Sequence, residues 1–212
     1  GIRDRQAMWQ WISAHSAAIS IFFNFLMVVV WVTYLQLLLV QFRATRRSSI
    51  LITRAAGRGM RSRCLVTNMS SQPLYVTSLI GILHAGDKQI EIALTDLREL
   101  PEDLGADPRS TMRQGSLSTG QYLDIGHFDD ILEVMLRDDE AAGLAREDVA
   151  QLDLIVVAFY APESLPVGAR RSFQFRWESP SGTRVQPTSL RTEQIRGRRQ
   201  RKRLFQAVER HM

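Results

Sequence analysis

Hydrophobic and polar positions along the chain fall into two regimes. From Gln6 to Phe42 there is no Asp, Glu, Lys or Arg. Beyond Phe42 the sequence is heavily charged, and its apolar residues recur mostly with period two. The first regime contains Ala17 to Val40, AAISIFFNFLMVVVWVTYLQLLLV, 24 residues apolar on every side of a helix. At about 1.5 Å per residue this helix would reach roughly 36 Å, enough for a hydrocarbon core of about 30 Å with some tilt. In lipid a helix satisfies its own backbone polar groups, so this is the expected conformation. A buried helix of a soluble domain is a poor alternative for so long and uniform a run. A cleaved signal peptide has an apolar region of about 7–15 residues closed by small residues. Here the run ends in Gln41, Phe42 and Arg43, so an uncleaved anchor is expected over 17–41, after a short flank at 1–16.

From Ser49 the alternation predicts strands. SILIT (49–53), RCLVTN (63–68), LYVTSLIGILH (74–84), KQIEIAL (88–94), QYLDI (121–125), LIVVAFY (154–160) and RSFQFRW (171–177) form the series. AGDK (85–88) carries the Gly-Asp chemistry of a tight hairpin. Ile90, Ile92 and Leu94 share one face, and Phe173, Phe175 and Trp177 point inward with Gln174 and Arg176 outward. LIVVAFY is continuous, as expected of a central strand covered on both faces. About seven strands with short turns are most simply buried as two packed sheets. The expected fold is all-β, an immunoglobulin-like antiparallel β-sandwich over 49–180 with a small helical insertion, attached to one N-terminal transmembrane helix. The Cys…Trp…Cys spacing of true immunoglobulin domains is absent, and a small barrel is the competing architecture.

The insertion covers about 95–150. HFDDILEVMLR (127–137) places Phe128, Ile131, Leu132 and Met135 at helical spacing, with Asp129 and Asp130 in the first turn where acids suit the helix dipole. EAAGLAREDVAQL (140–152) suggests a second short helix. Residues 95–118 read as a long loop, a kind of segment that is usually functional or disordered. Residues 181–212 read as a basic tail, partly helical or disordered.

Charge is distributed in blocks and sets the orientation. Residues 41–86 carry seven arginines and no acid, residues 87–163 six bases and eighteen acids, and residues 164–212 twelve bases and three acids. Arg43, Arg46 and Arg47 form a basic collar at 42–48, whereas only Arg3 and Arg5 precede the helix. Cytoplasmic flanks carry the excess of Lys and Arg. The N-terminus is therefore expected outside and the C-terminal domain in the cytoplasm, at a plasma (inner) membrane. Each collar arginine contributes about 1 kcal/mol against anionic headgroups. Trp9 and Trp11 suit the opposite interface, where amphipathic rings collect. Within the span, Ser20, Asn24 and Trp31 lie on one face. A polar amide facing lipid is costly, which favours a helix–helix contact, with a partner or a second copy; a lone Asn tolerated near the interface is the plainer reading.

Candidate chemistry is sparse. LDIGHFDD (123–130) offers Asp124, His127, Asp129 and Asp130, but in no EF-hand or zinc spacing, and capping explains the two helix-start acids. No phosphate loop, G-x-S-x-G elbow or H-E-x-x-H is present, and His15, His84, His127 and His211 are scattered. No catalytic residue, metal ligand or cofactor is therefore expected. Cys64 stands alone, which excludes an internal disulfide and fits a small core residue. The tail packs Arg196, Arg198, Arg199, Arg201, Lys202 and Arg203 into eight residues. Anionic lipid and an acidic protein partner are the main readings of this cluster. A solvated end is the plain one, and nucleic acid the weakest.

The architecture resembles that of single-pass bacterial inner-membrane proteins with a cytoplasmic β-sandwich; the likeness carries no motif and assigns no residue. The expectation is a single-pass, membrane-anchored, non-enzymatic interaction or scaffold module, an accessory subunit of a membrane complex. The alternative is a membrane-tethered sensor of a small ligand or divalent ion through 95–130.

Overall fold

The apolar run forms one helix, α1 (Ser16–Thr45). The computed structural model describes residues 5, 8–10, 16–45, 47–95, 108–161, 165–177 and 182–210. Contacts divide the chain into two compact units, Gly1–Thr45 and Arg46–Met212. The stretch Ser16–Phe42 has a mean hydropathy of 2.1 and none of its best window is buried. It is long and apolar enough to cross a membrane, a property that a signal sequence shares. The helix runs through the first residues of the expected collar, as far as Thr45, because Arg43 and Ala44 are good helix formers.

The second unit is mostly β-structure in two antiparallel sheets, neither of them closed. Its elements, in chain order, are β1 (Ile50–Arg54), β2 (Arg63–Asn68), β3 (Leu74–Ala85), β4 (Lys88–Ala93), a short helix α2 (Pro108–Met112), β5 (Gly115–Leu117), β6 (Tyr122–His127) and α3 (Phe128–Leu136). Two single 3₁₀ turns follow where a second insertion helix is expected, at Asp139–Ala141 and Arg146–Asp148. Gly143, at φ +80°, lies between them and stops a continuous helix. Then come β7 (Gln151–Tyr160), β8 (Val167–Arg176), β9 (Arg184–Pro187), β10 (Glu193–Ile195) and α4 (Arg198–Arg210).

The small sheet has the order β1-β2-β6, and the large one β10-β8-β7-β3-β4. β9 and β10 pair with successive stretches of β8, and β5 and β4 with successive stretches of β3. The large sheet is thus five columns wide, with β7 in the centre. One apolar cluster joins the inner faces. Ile50, Ile52, Cys64, Val66, Leu123 and Ile125 come from the small sheet; Leu79, Leu83, Leu152, Leu154, Val156 and Phe173 come from the large one. The helix α3 adds Phe128, Ile131, Leu132 and Met135, the four residues its spacing selects. Phe128 meets Phe173 edge-on at 4.8 Å.

The segment after residue 181 adds β9 and β10 to the large sheet before it ends in α4. Three-residue and four-residue strands with little apolar content carry no alternation to read, so their pairing with β8 is invisible locally. β1 is an edge strand whose outward backbone groups would otherwise be orphaned. Gln194 closes one position: Ile50 N donates to its Oε1 at 3.0 Å, and its Nε2 donates to Ile50 O at 2.6 Å. Thr192 closes the next, accepting from Ile52 N at 3.0 Å and donating to Ile52 O at 3.2 Å. Arg171, on β8, also donates to Ile52 O from within the core. At the other end Val185 N donates to Arg58 O at 2.9 Å and Arg54 donates to Val185 O. Side chains from the large sheet therefore dress the open edge of the small one.

Truncating Gln194 leaves two backbone groups of Ile50 without partners. Gln194→Ala is expected to lower stability by about 2 kcal/mol, against a change within about 0.5 kcal/mol for the exposed Gln174→Ala. Paired denaturation curves of the detergent-solubilised chain check the difference.

Candidate functional site

Two surface features stand out from the fold, and both depend on α4. The first is the outer face of the large sheet. Period two sends Leu152, Leu154, Val156 and Ala158 of β7 into the core, and so Asp153, Ile155 and Val157 face outward. Leu204 of α4 sits on Ile80 and Val157, with Ile155 and Ile195 packed around them. Gly168 makes this approach possible, since a Cβ there would lie 2.8 Å from Leu204 Cδ2 and 3.1 Å from Val156 O. The outer face of LIVVAFY is accordingly covered by α4 at Ile155 and Val157, while Phe159 stays exposed.

Beside this contact lies a buried carboxylate. Asp153 is 0% exposed. His84 Nε2 donates to its Oδ2 at 2.8 Å, Arg170 donates to the same oxygen, and Gln151 Nε2 donates to Oδ1 at 2.9 Å. Burial alone would raise the Asp153 pKa. Hydrogen bonds from Ser172, Arg170, His84 and Gln151 outweigh it and hold the carboxyl below the ordinary carboxylate range. Arg170 also lines an open groove of about 310 Å³ floored by Ile80, Ile155, Ile195 and Leu204 and rimmed by Glu91, Glu193 and Arg203. Every donor around Asp153 is engaged with it, so the cluster reads as a polar tie across β3, β7 and β8.

The second feature is a basic pocket of about 460 Å³ lined by Arg47, Ser48, Val167, Ile195, Arg196 and Arg201. It joins residues that the sequence places in separate groups, the collar (Arg47) and the C-terminal cluster (Arg196, Arg201). Arg201 is only 9% exposed. Its Nε donates to Pro166 O at 2.7 Å and its Nη2 to Leu165 O, so this guanidinium is a structural wall of the pocket and not a free surface cation. Arg196 Nη2 reaches Ser48 O at 3.4 Å and the residue stays exposed. Arg47 is exposed at the mouth.

The other expected contacts are placed as follows. Arg198, Arg199, Lys202 and Arg203 are exposed on α4, Arg203 at the groove rim. Ser20, Asn24 and Trp31 are exposed on α1, and Trp31 meets Tyr34 edge-on at 6.4 Å. Trp9 is 68% exposed. Trp11, Arg46 and the side chain of Arg43 lie outside the described residues.

In the expected sensor region, residues 96–107 also lie outside the described residues. In the described remainder Asp124, His127 and Asp129, singled out by the sequence, hold partners within the domain. Asp124 pairs with Arg63, Asp129 with Arg146, and His127 Nδ1 donates to Arg61 O. Arg113, a non-glycine residue at φ +54°, is buried and donates to Ile125 O at 3.3 Å and Leu94 O at 3.1 Å. Burial pulls its pKa below the ordinary arginine value, and Asp130 opposes the shift. Among the described residues no three His, Cys, Asp or Glu side chains converge as a metal site. Cys64 is fully buried, which pushes its thiol pKa well up and leaves it a core residue.

The apolar run LIVVAFY begins at Leu154 and leaves Asp153 outside it, so its pattern gives no sign of the Asp153 cluster. The available signal was a lone acid two residues before Ile155 on a strand that continues to Gln151. Comparisons with protein-family models, curated proteins and solved structures find no match.

Asp153→Ala removes the partner of a buried pair. The expected loss is about 3 kcal/mol, at the low end for such a break because Arg170 keeps access to water. Because the native pKa is depressed, the carboxylate stabilises the fold above the unfolded value of about 3.9 and ceases to do so as pH falls through the native pKa. Melting curves on acid titration should show this component in the parent chain and not in Asp153→Ala.

Proposed function

We propose that this chain is a single-pass membrane anchor carrying a cytoplasmic, non-enzymatic interaction module. One observation carries the reading: an apolar helix of membrane-spanning length, with none of its most apolar window buried, leads within a few residues into a separately packed β-domain. The arginines from Arg43 to Arg61 all lie within about 20 residues of the helix end, the range that sets orientation. The uncleaved state is supported by the continuation of α1 to Thr45 with no small-residue break after the apolar core.

The domain offers surfaces suited to binding. Tyr75 and Phe159 are register partners on the outer face, 48% and 47% exposed, at the end of the sheet away from His84. Exposed aromatics of this kind anchor partner contacts. The exposed Arg198, Arg199 and Lys202 of α4 suit an acidic partner or an anionic surface. Ser20 and Asn24 on the open face of α1 suit a helix–helix contact within the bilayer, with a second copy or another membrane subunit. The reading rests on two packed antiparallel sheets and needs no immunoglobulin strand order. A sensing role for 95–130 is the alternative reading; among the described residues of that stretch Asp124, His127 and Arg113 hold partners within the domain.

Thiol labelling tests the orientation, and Cys64 provides its own blank because it is buried. A cysteine introduced as Asp87→Cys lies in the exposed β3–β4 turn. With Ser13→Cys as the outside control, a membrane-impermeant maleimide should label Asp87→Cys only after cells are permeabilised. Labelling of Asp87→Cys in intact cells would place the domain outside and refute the proposal.

A further inference from the structure

We infer that the pocket of Arg47, Ser48, Val167, Ile195, Arg196 and Arg201 is a binding site for a phosphate group, supplied by the headgroup of an anionic phospholipid. The inference deepens the anchoring reading above and rests on it for the source of the phosphate. Among the described residues the lining holds three arginines and no carboxylate. Arg201 is engaged as a wall, and the exposed Arg47 and Arg196 are the two guanidiniums that a bound anion would bridge. Arginine is the residue suited to the recipient role, because its planar fork matches phosphate oxygens two at a time.

The pocket is built rather than incidental. Arg201 is held as a buried wall by the carbonyls of Leu165 and Pro166. The edge contacts of Gln194 and Thr192 fix β10 against β1, and so bring Arg196 beside Ser48 and Arg47. Arg196 lies two residues before α4 and Arg201 in its first turn, so the 13-residue helix holds both at one end of the pocket. A volume of about 460 Å³ falls within the roughly 300–1,000 Å³ of small-ligand clefts. Val167 and Ile195 give one side an apolar surface, which suits the glycerol end of a headgroup better than a bare ion.

Chain connectivity argues for lipid as the source. Four residues separate Phe42, the end of the apolar stretch, from Arg47 at the mouth. A site tethered so closely to the hydrocarbon boundary meets headgroups at far higher local concentration than any soluble phosphate ester. The cations of the exposed helix face, by contrast, give only diffuse attraction.

The test uses the full chain purified in mild detergent, incubated with phosphatidylcholine and phosphatidylglycerol together, and examined for retained lipid by native mass spectrometry. Wild type should retain phosphatidylglycerol. Arg47→Gln/Arg196→Gln should lower retention at least about tenfold, the effect of losing one charge-assisted hydrogen bond. Arg47→Lys/Arg196→Lys should restore part of it, and Arg198→Gln/Arg199→Gln, which removes equal charge outside the pocket, should leave it unchanged. A second arm adds inorganic phosphate to the chain in phosphatidylcholine discs. A raised melting temperature that the double Gln variant loses, without phosphatidylglycerol retention, would keep the phosphate site and assign it a soluble source. Equal loss in the Arg198/Arg199 control, or no response in either arm, overturns the site. Labelling of Asp87→Cys in intact cells would refute the orientation and leave lipid retention intact, so the two failures are distinguishable.

Discussion

The fold of the β-domain depends on how the edge of β1 is satisfied. The small sheet is only three strands wide, and β1 ends it with backbone groups of Ile50 and Ile52 pointing away from β2. An unpaired edge next to the core leaves dry polar groups or invites another chain. Here Gln194, Thr192 and Arg171 supply both donors and acceptors from the large sheet. Two open sheets thereby share one closed boundary without a continuous ladder of backbone bonds. The core of Ile50, Ile52, Val66, Leu154 and Phe173 lies behind that boundary.

The same constraint sorts the arginines. Arg171 and Arg201 are buried and donate to backbone carbonyls, and Arg113 does so on the opposite side of the domain. Those guanidiniums act as multidentate ties, a use that suits five fixed donors. Arg47, Arg196, Arg198, Arg199 and Lys202 remain outward. The positive block after residue 164 is therefore two populations, one that holds the fold and one that faces its surroundings. Two of the outward group, Arg47 and Arg196, meet where the C-terminal segment crosses β1, close in sequence to the end of α1. The proposed phosphate site is thus a product of how the edge is closed.

What could be read from the sequence was what depends on neighbours along the chain. The apolar run announced α1, and the spacing of Phe128, Ile131, Leu132 and Met135 announced the buried face of α3. Alternation placed Ile90, Ile92 and Leu94, and likewise Phe173 and Phe175, on their faces. What escaped depends on residues far apart. β9 and β10 are too short to alternate, and Gln194 meets Ile50 across 144 positions of chain. α4 looked like a tail because its charge hides one inward pair, Arg201 and Leu204, at helical spacing. The basic pocket was half legible: its arginines were singled out, but in two groups that only the β1–β10 contact unites.

Amide hydrogen exchange at Ile50 and Ile52, in the full chain held in lipid discs, tests the central claim most directly. Their N–H groups face away from β2 and, among the described residues, donate to the side chains of Gln194 and Thr192. If the C-terminal segment closes this edge, both amides exchange slowly, on the scale of core residues such as Val156. If they exchange as fast as Gly86 in the exposed β3–β4 turn, the edge is open. The segment after residue 181 is then no part of the fold, and the pocket it builds with Arg47 goes with it.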